Sequence, residues 1–166
     1  MRDCRFGSFS ERRESSCALG REVMLFTIAC LLLGAVLAVP LLLYVHRVPE
    51  HARPVLALAL VIAALIYILF AAQAEQPVRW LAIEVIGVVA FGVFALLGLR
   101  GSIGWLALGW AAHPLWDVAL HRAGPGAEFT PQWYALACVS FDLIVAGYIL
   151  YRLAQAPEPR QRTAAR

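Results

Sequence analysis

The chain contains no lysine; all 14 of its basic side chains are arginine. Aspartate is nearly as scarce, with Asp3, Asp117 and Asp142 the only three. Charged residues make up 15% of the 166 residues, against about a quarter in an ordinary soluble domain. With 61% of residues hydrophobic and a mean hydropathy of +0.72, there is too little polar surface to cover a water-soluble core. Cysteine is sparse as well. Cys4, Cys17, Cys30 and Cys138 form no C-x-x-C pair, which argues against a disulfide framework or a zinc knuckle. No basic patch lies on a folded soluble region, which argues against nucleic acid as a partner. The net charge of +3 sits mainly in two arginine-rich tails, suited to anionic lipid headgroups.

Long apolar runs fill the rest. Five occur, at about 24–45, 55–72, 80–99, 103–121 and 132–153, each near the ~20 residues a helix needs to cross the hydrocarbon core. The expected fold is therefore all-α, a polytopic membrane helix bundle of about five transmembrane helices over residues 24–153. Pro49, Pro54, Pro77, Gly101, Gly124, Pro125, Gly126 and Pro131 punctuate the connections. Trp80, Trp105, Trp133, Tyr134, Tyr44 and Tyr151 fall at span ends, where amphipathic rings favour the membrane interface. Cys30, Gly34 and Ala38 in the first span, with Gly87 and Gly98 in the third, read as packing seams.

Residues 1–23 are polar, arginine-rich and without apolar periodicity. They read either as a disordered tail or as an extension ahead of a true start at Met24. Residues 154–166 read as a disordered basic tail. Counted from residue 1, arginines divide seven against seven between the two sides of the membrane. Counted from Met24 they divide two against seven, which places the C-terminus in the cytoplasm and the loop 122–131 outside.

Ionisable side chains inside the apolar runs carry the chemical signal, since each costs at least ~2.5–3.5 kcal/mol on insertion scales. In the fourth span His113, Asp117 and His121 are spaced i, i+4, i+8, so they share one helical face. Pro114 removes a backbone donor beside His113, which predicts a distortion there. In the fifth span Tyr134, Cys138 and Asp142 repeat the same spacing, and Glu84 lies within the third. Counted from one side of the membrane, Glu84, Asp117, His113 and Asp142 lie about four to ten residues deep, a band reaching roughly mid-membrane. The expectation is a polar cleft between the third, fourth and fifth spans, with His121 and Glu75 at its mouth.

Three readings of that cleft stand side by side. Imidazoles and carboxylates on facing helices suit Zn or Fe(II), with His113, Asp117, His121, Asp142 and Glu84 as the candidate ligands and water activation or oxygen binding as the chemistry. The same groups suit a proton relay or a small-solute site. They also suit a structural network in a non-catalytic subunit of a membrane complex. Beyond the lipid bilayer, a homo-oligomer or such a complex is the partner class that fits. His46 and His51 read as a solvated, headgroup-facing loop, and Trp110 and Trp116 as packing residues.

The stretch W-x-x-H-x-x-W-D-x-x-x-H (Trp110, His113, Trp116, Asp117, His121), with the pair Phe141 and Asp142, is similar to a family of small bacterial integral membrane proteins of unknown function. The resemblance covers mainly the last two spans. It implies a multi-pass protein of the bacterial cytoplasmic membrane and no particular reaction.

Overall fold

A computed structural model of the chain describes the backbone of residues 7–155 and the side chains from Ser16 onward except Cys17. Five α-helices follow one another: α1 (Gly7–Arg47), α2 (Ala52–Ala71), α3 (Pro77–Arg100), α4 (Gly104–Trp116) and α5 (Gln132–Ala154). Among the described residues there is no strand. Helices satisfy every backbone polar group within one segment, which a hydrocarbon environment requires. The breaks fall where the sequence offers them. Pro49 opens a 3₁₀ turn and Pro77 opens α3, at first-turn positions where a missing N–H leaves no acceptor unserved. The Gly101 N–H closes α3 on the Leu97 carbonyl at 2.8 Å.

Four of these segments, Ala18–Arg47, Pro49–Ala71, Pro77–Arg100 and Gln132–Ala154, are long and apolar enough to cross a membrane. The run at 103–121 is the exception among the five expected. Only 13 of its residues are α-helical, and from Asp117 to Arg122 six more continue as π-helix. Pro114 lies one turn before the change. A proline cannot supply the α-type bond, and the helix widens just beyond it.

The first helix departs from expectation in the other direction. It is continuous from Gly7, 41 residues and roughly 60 Å long, twice the thickness of the hydrocarbon core. Residues 7–23, read from sequence as a disordered tail or an extension ahead of Met24, are helical and continue α1. Residues 1–6 lie outside the described residues. So does the basic tail from residue 156 onward.

The bundle is built on a few pairings. α1 packs along α5, α2 along α3, and α4 lies between α3 and α5. The expected seams are present. Cys30, Gly34 and Ala38 are buried on α1, and a Cβ at Gly34 would collide with the Ala137 carbonyl and the Ser140 hydroxyl of α5. Ser140 also donates to the Leu31 carbonyl at 2.7 Å. Gly87 lies beneath Trp116 and Gly98 beneath Leu106. Such close approach is how helices associate in lipid, where apolar burial alone drives little. Outward-facing Leu32, Val36, Leu58, Leu69, Ile86, Val89 and Leu115 present an apolar surface suited to a bilayer. Trp105, Trp133, Tyr44 and Tyr151 face outward at span ends as expected, but Trp80 is buried against Phe129 at 4.9 Å between ring centroids.

Candidate functional site

Helical spacing brings His113 and Asp117 onto the buried face of α4, and the packing of α4 on α5 brings Asp142 to meet them. All three are fully buried. His113 Nδ1 lies 2.9 Å from Asp142 Oδ2 and 3.4 Å from Asp117 Oδ2. One imidazole nitrogen carries at most one proton, so Nδ1 serves a single carboxylate at a time. The hydrogen-bonded partner is Asp142. Taking one ligand atom from each of His113, Asp117 and Asp142, the three lie within 4.8 Å of one another.

The π-helical turns decide where His121 points. Four α-helical steps overshoot a full turn by about 40°, whereas four wider π steps fall short of one. His121 is rotated accordingly and sits in a second polar group, its Nε2 at 3.4 Å from Glu84 Oε1 on α3. The loop after α4 folds back over this ring. Thr130 Oγ1 lies 3.2 Å from His121 Nδ1, Phe129 packs edge-on at 6.0 Å, and Gly126 comes so close that a Cβ there would lie 2.8 Å from Nδ1. His121 is therefore fully buried and not at an open mouth as expected. Glu75 is exposed, beside a cavity of about 320 Å³ that it lines with Gln73, Ala74, Glu128 and Phe129.

Aromatic rings wall the two groups. Phe91 covers His113 at 4.6 Å, and Tyr67 of α2 lies 6.1 Å from His113 and 4.1 Å from His121. Trp116 donates its indole N–H to Glu84 Oε2 at 3.4 Å. The space bounded by Tyr67, Glu84, Gly87, Phe91, His113 and Trp116 is too tight for a water molecule.

The polar atoms inside this wall are short of partners. Among the described residues, the buried side-chain nitrogens and oxygens without a hydrogen bond are Tyr67 Oη, Glu84 Oε1, His113 Nε2, both Asp117 oxygens, His121 Nε2 and Asp142 Oδ1. Every one belongs to this site. Native structures leave few such groups, because each forfeits its hydration. Charge is equally unbalanced. Three carboxylates face two imidazoles, and every ion pair among the described residues involves a histidine, so no guanidinium neutralises the cluster.

The structure thus groups His113, Asp117 and Asp142 tightly and sets His121 with Glu84 as a separate pair. Tyr134 and Cys138 are half-buried nearby, and Tyr134 packs edge-on against Tyr67 at 5.6 Å. His46 and His51 lie at the other end of the bundle, where they contact Tyr148 and Tyr44. Sequence reasoning did not single out Tyr67, Phe91 or Thr130. Tyr67 is the only polar-tipped side chain between Pro54 and Gln73, and that isolation is a signal in the sequence.

The comparisons with known proteins place the chain in a family and are silent on its chemistry. Residues 26–157 match the DUF6010 family, a family of unknown function, and the chain belongs to it. No curated protein and no solved structure matches the chain.

Proposed function

We propose that this membrane protein binds a divalent metal ion, Zn²⁺ or Fe²⁺, inside its helix bundle through His113, Asp117 and Asp142. The observation that carries this reading is the convergence of unpartnered buried polar atoms on one site. A dication held by His113 Nδ1 and the two aspartates would give the orphaned Asp117 carboxylate a partner and supply the missing positive charge. The donor set fits: one imidazole and two carboxylates suit these metals. The spacing fits too. Tetrahedral ligands at ~2.0–2.1 Å from a metal lie roughly 3.3 Å apart, close to the separations of His113 Nδ1 from the two aspartates. A bound metal of this kind supplies Lewis acidity and lowers the pKa of a coordinated water.

The surrounding residues have roles of their own in this reading. Phe91 and Tyr67 hold the imidazoles in place and keep water out. Thr130 fixes the orientation of His121, and Trp116 fixes that of Glu84. That second pair lies between the three-residue group and the loop 123–131, where it can hold a cation or a proton in transit.

Elemental analysis of detergent-purified wild type, beside His113→Ala and Asp117→Asn, tests the proposal. Stoichiometric metal in wild type, lost in both variants while membrane insertion persists, is the expected result. Wild-type protein prepared without chelator that is metal-free and takes up neither added Zn²⁺ nor Fe²⁺ would end it. A proton relay is the second reading, favoured by the 2.9 Å hydrogen bond from His113 to Asp142. It predicts metal-free wild type and loss of a proton-linked activity in Asp117→Asn.

A further inference from the structure

The opposite end of the bundle carries a feature that the histidine site does not use. The C-termini of α1, α3 and α5 and the N-termini of α2 and α4 meet there, and with them come Arg47, Arg53, Arg100 and Arg152. Glu50 is the one carboxylate on the described segments at that end, and no arginine among the described residues takes part in an ion pair. Four guanidiniums, none in an ion pair and with a single carboxylate among them, attract an anion, and their position at a span end points to the headgroup layer.

Two of the four flank a cavity. A space of about 150 Å³ is lined by Arg53 and Arg152, with Tyr148 beside them and Val45, Leu56 and Ile149 beneath. One water needs only ~10–15 Å³ measured this way, so the cavity admits a group of several heavy atoms. Its floor is fully buried and apolar, and its rim is cationic. Both guanidiniums are held in place before any ligand arrives. Arg53 Nη1 donates to the Gly101 carbonyl at 2.9 Å. Arg152 Nη1 donates to Tyr148 Oη at 3.2 Å, and that hydroxyl in turn lies 3.4 Å from His46 Nδ1. Each guanidinium has five N–H groups in a planar fork, so each keeps donors for an oxyanion.

We propose that Arg53 and Arg152 form a phosphate-binding site in which the phosphate of an anionic phospholipid sits between the two guanidiniums, its ester arm over the apolar floor. The rim matches phosphate chemistry, because guanidinium forks pair with phosphate oxygens through charge-assisted hydrogen bonds. The floor matches a lipid better than a free ion, since a bare phosphate would gain nothing from Val45, Leu56 and Ile149. This site is at the far end of the bundle from His113 and stands whether or not a metal binds there.

Native mass spectrometry of the full chain in detergent tests the proposal, with phosphatidylglycerol, phosphatidylcholine and inorganic phosphate as separate probes. Wild type is expected to retain phosphatidylglycerol at least tenfold better than phosphatidylcholine. Arg53→Gln and Arg152→Gln are each expected to weaken that retention about tenfold, and Arg100→Gln, which removes the same charge outside the cavity, less than twofold. Arg53 also tethers the start of α2 to the α3–α4 turn, whereas Arg152 bonds only within its own helix. Arg152→Gln therefore reports on binding even where Arg53→Gln loosens the fold. Equal losses in all three variants would reduce the site to diffuse surface charge and overturn the proposal. Binding of inorganic phosphate without lipid retention would overturn the lipid assignment.

Discussion

The Tyr67 ring lies flat on the imidazole of His121, with centroids 4.1 Å apart and planes 14° from parallel. Tyr67 comes from α2 and His121 from the π-helical end of the fourth span, so the stack ties the candidate site to a helix outside the expected three. The stack and the unpartnered hydroxyl of Tyr67 are separable by mutation. Tyr67→Phe keeps the ring and removes the orphaned oxygen, and is expected to leave thermal stability unchanged or slightly higher. Tyr67→Ala empties a fully buried ring site and is expected to cost roughly 3–5 kcal/mol. Melting curves in detergent measure both. A loss in Tyr67→Phe as large as in Tyr67→Ala would show that the hydroxyl is held by a ligand.

Gly126 tests how closely the loop must approach His121. An added Cβ there would lie 2.8 Å from His121 Nδ1 and 2.8 Å from the Leu120 carbonyl. Gly126→Ala is expected to destabilise by about 1–3 kcal/mol, as overpacking does. Gly147 is the control. Nothing lies within 4 Å of a Cβ at that helical position, so Gly147→Ala is expected to be neutral or stabilising by about 0.5–1 kcal/mol. Equal effects at the two glycines would show that the loop does not press on the ring.

Metal retention should depend on pH in one direction only. A metal ligand must be deprotonated, so acidification through the histidine range puts a proton in competition with the metal at His113. Metal content, read after dialysis at a series of pH values, is expected to fall as pH drops from 8 to 5. Content that is flat across that range would remove His113 from the ligand set.

The start of the chain offers a test of α1. Every described side chain from Ser16 to Ala29 is exposed except Thr27, which is half-buried, and the first buried one is Cys30. A chain beginning at Met24 is expected to insert and to melt within a degree or two of the full protein. A large loss of yield or melting temperature would show that residues 7–23 pack against something the bundle needs.

Orientation follows from arginine. With two arginines against seven after Met24, a reporter fused to the C-terminus is expected to be active in the cytoplasm. Activity confined to the opposite side would invert the bundle and place the loop 123–131 inside.

The spacing of His113 and Asp117 could be read as a shared face because α-helical geometry relates residues four apart without reference to anything else. Asp142 could be added by counting depth along α5. The same counting misplaced His121, because its depth and direction assume an α-helix and the chain is π-helical from Asp117. Nothing local announces that Phe129 and Thr130 fold back to close over the ring; this follows from the path of the loop between α4 and α5. Trp80 was read as an interfacial ring for the same reason, since its burial depends on Phe129 arriving from that loop.

By itself, then, the sequence determined the helical class, the apolar exterior and the costly placement of Glu84, Asp117 and Asp142 within apolar runs, because composition and periodicity act through contacts a few residues apart. It also determined the seams at Gly34, Gly87 and Gly98, where only a missing side chain permits close approach. Tertiary structure decided which helix answers which. It brought Tyr67 from α2 against His121, divided the five candidate ligands into a group of three and a pair, and left His121 sealed from solvent. Those outcomes depend on how whole helices rotate and cross against one another, and no stretch of a few residues carries that information.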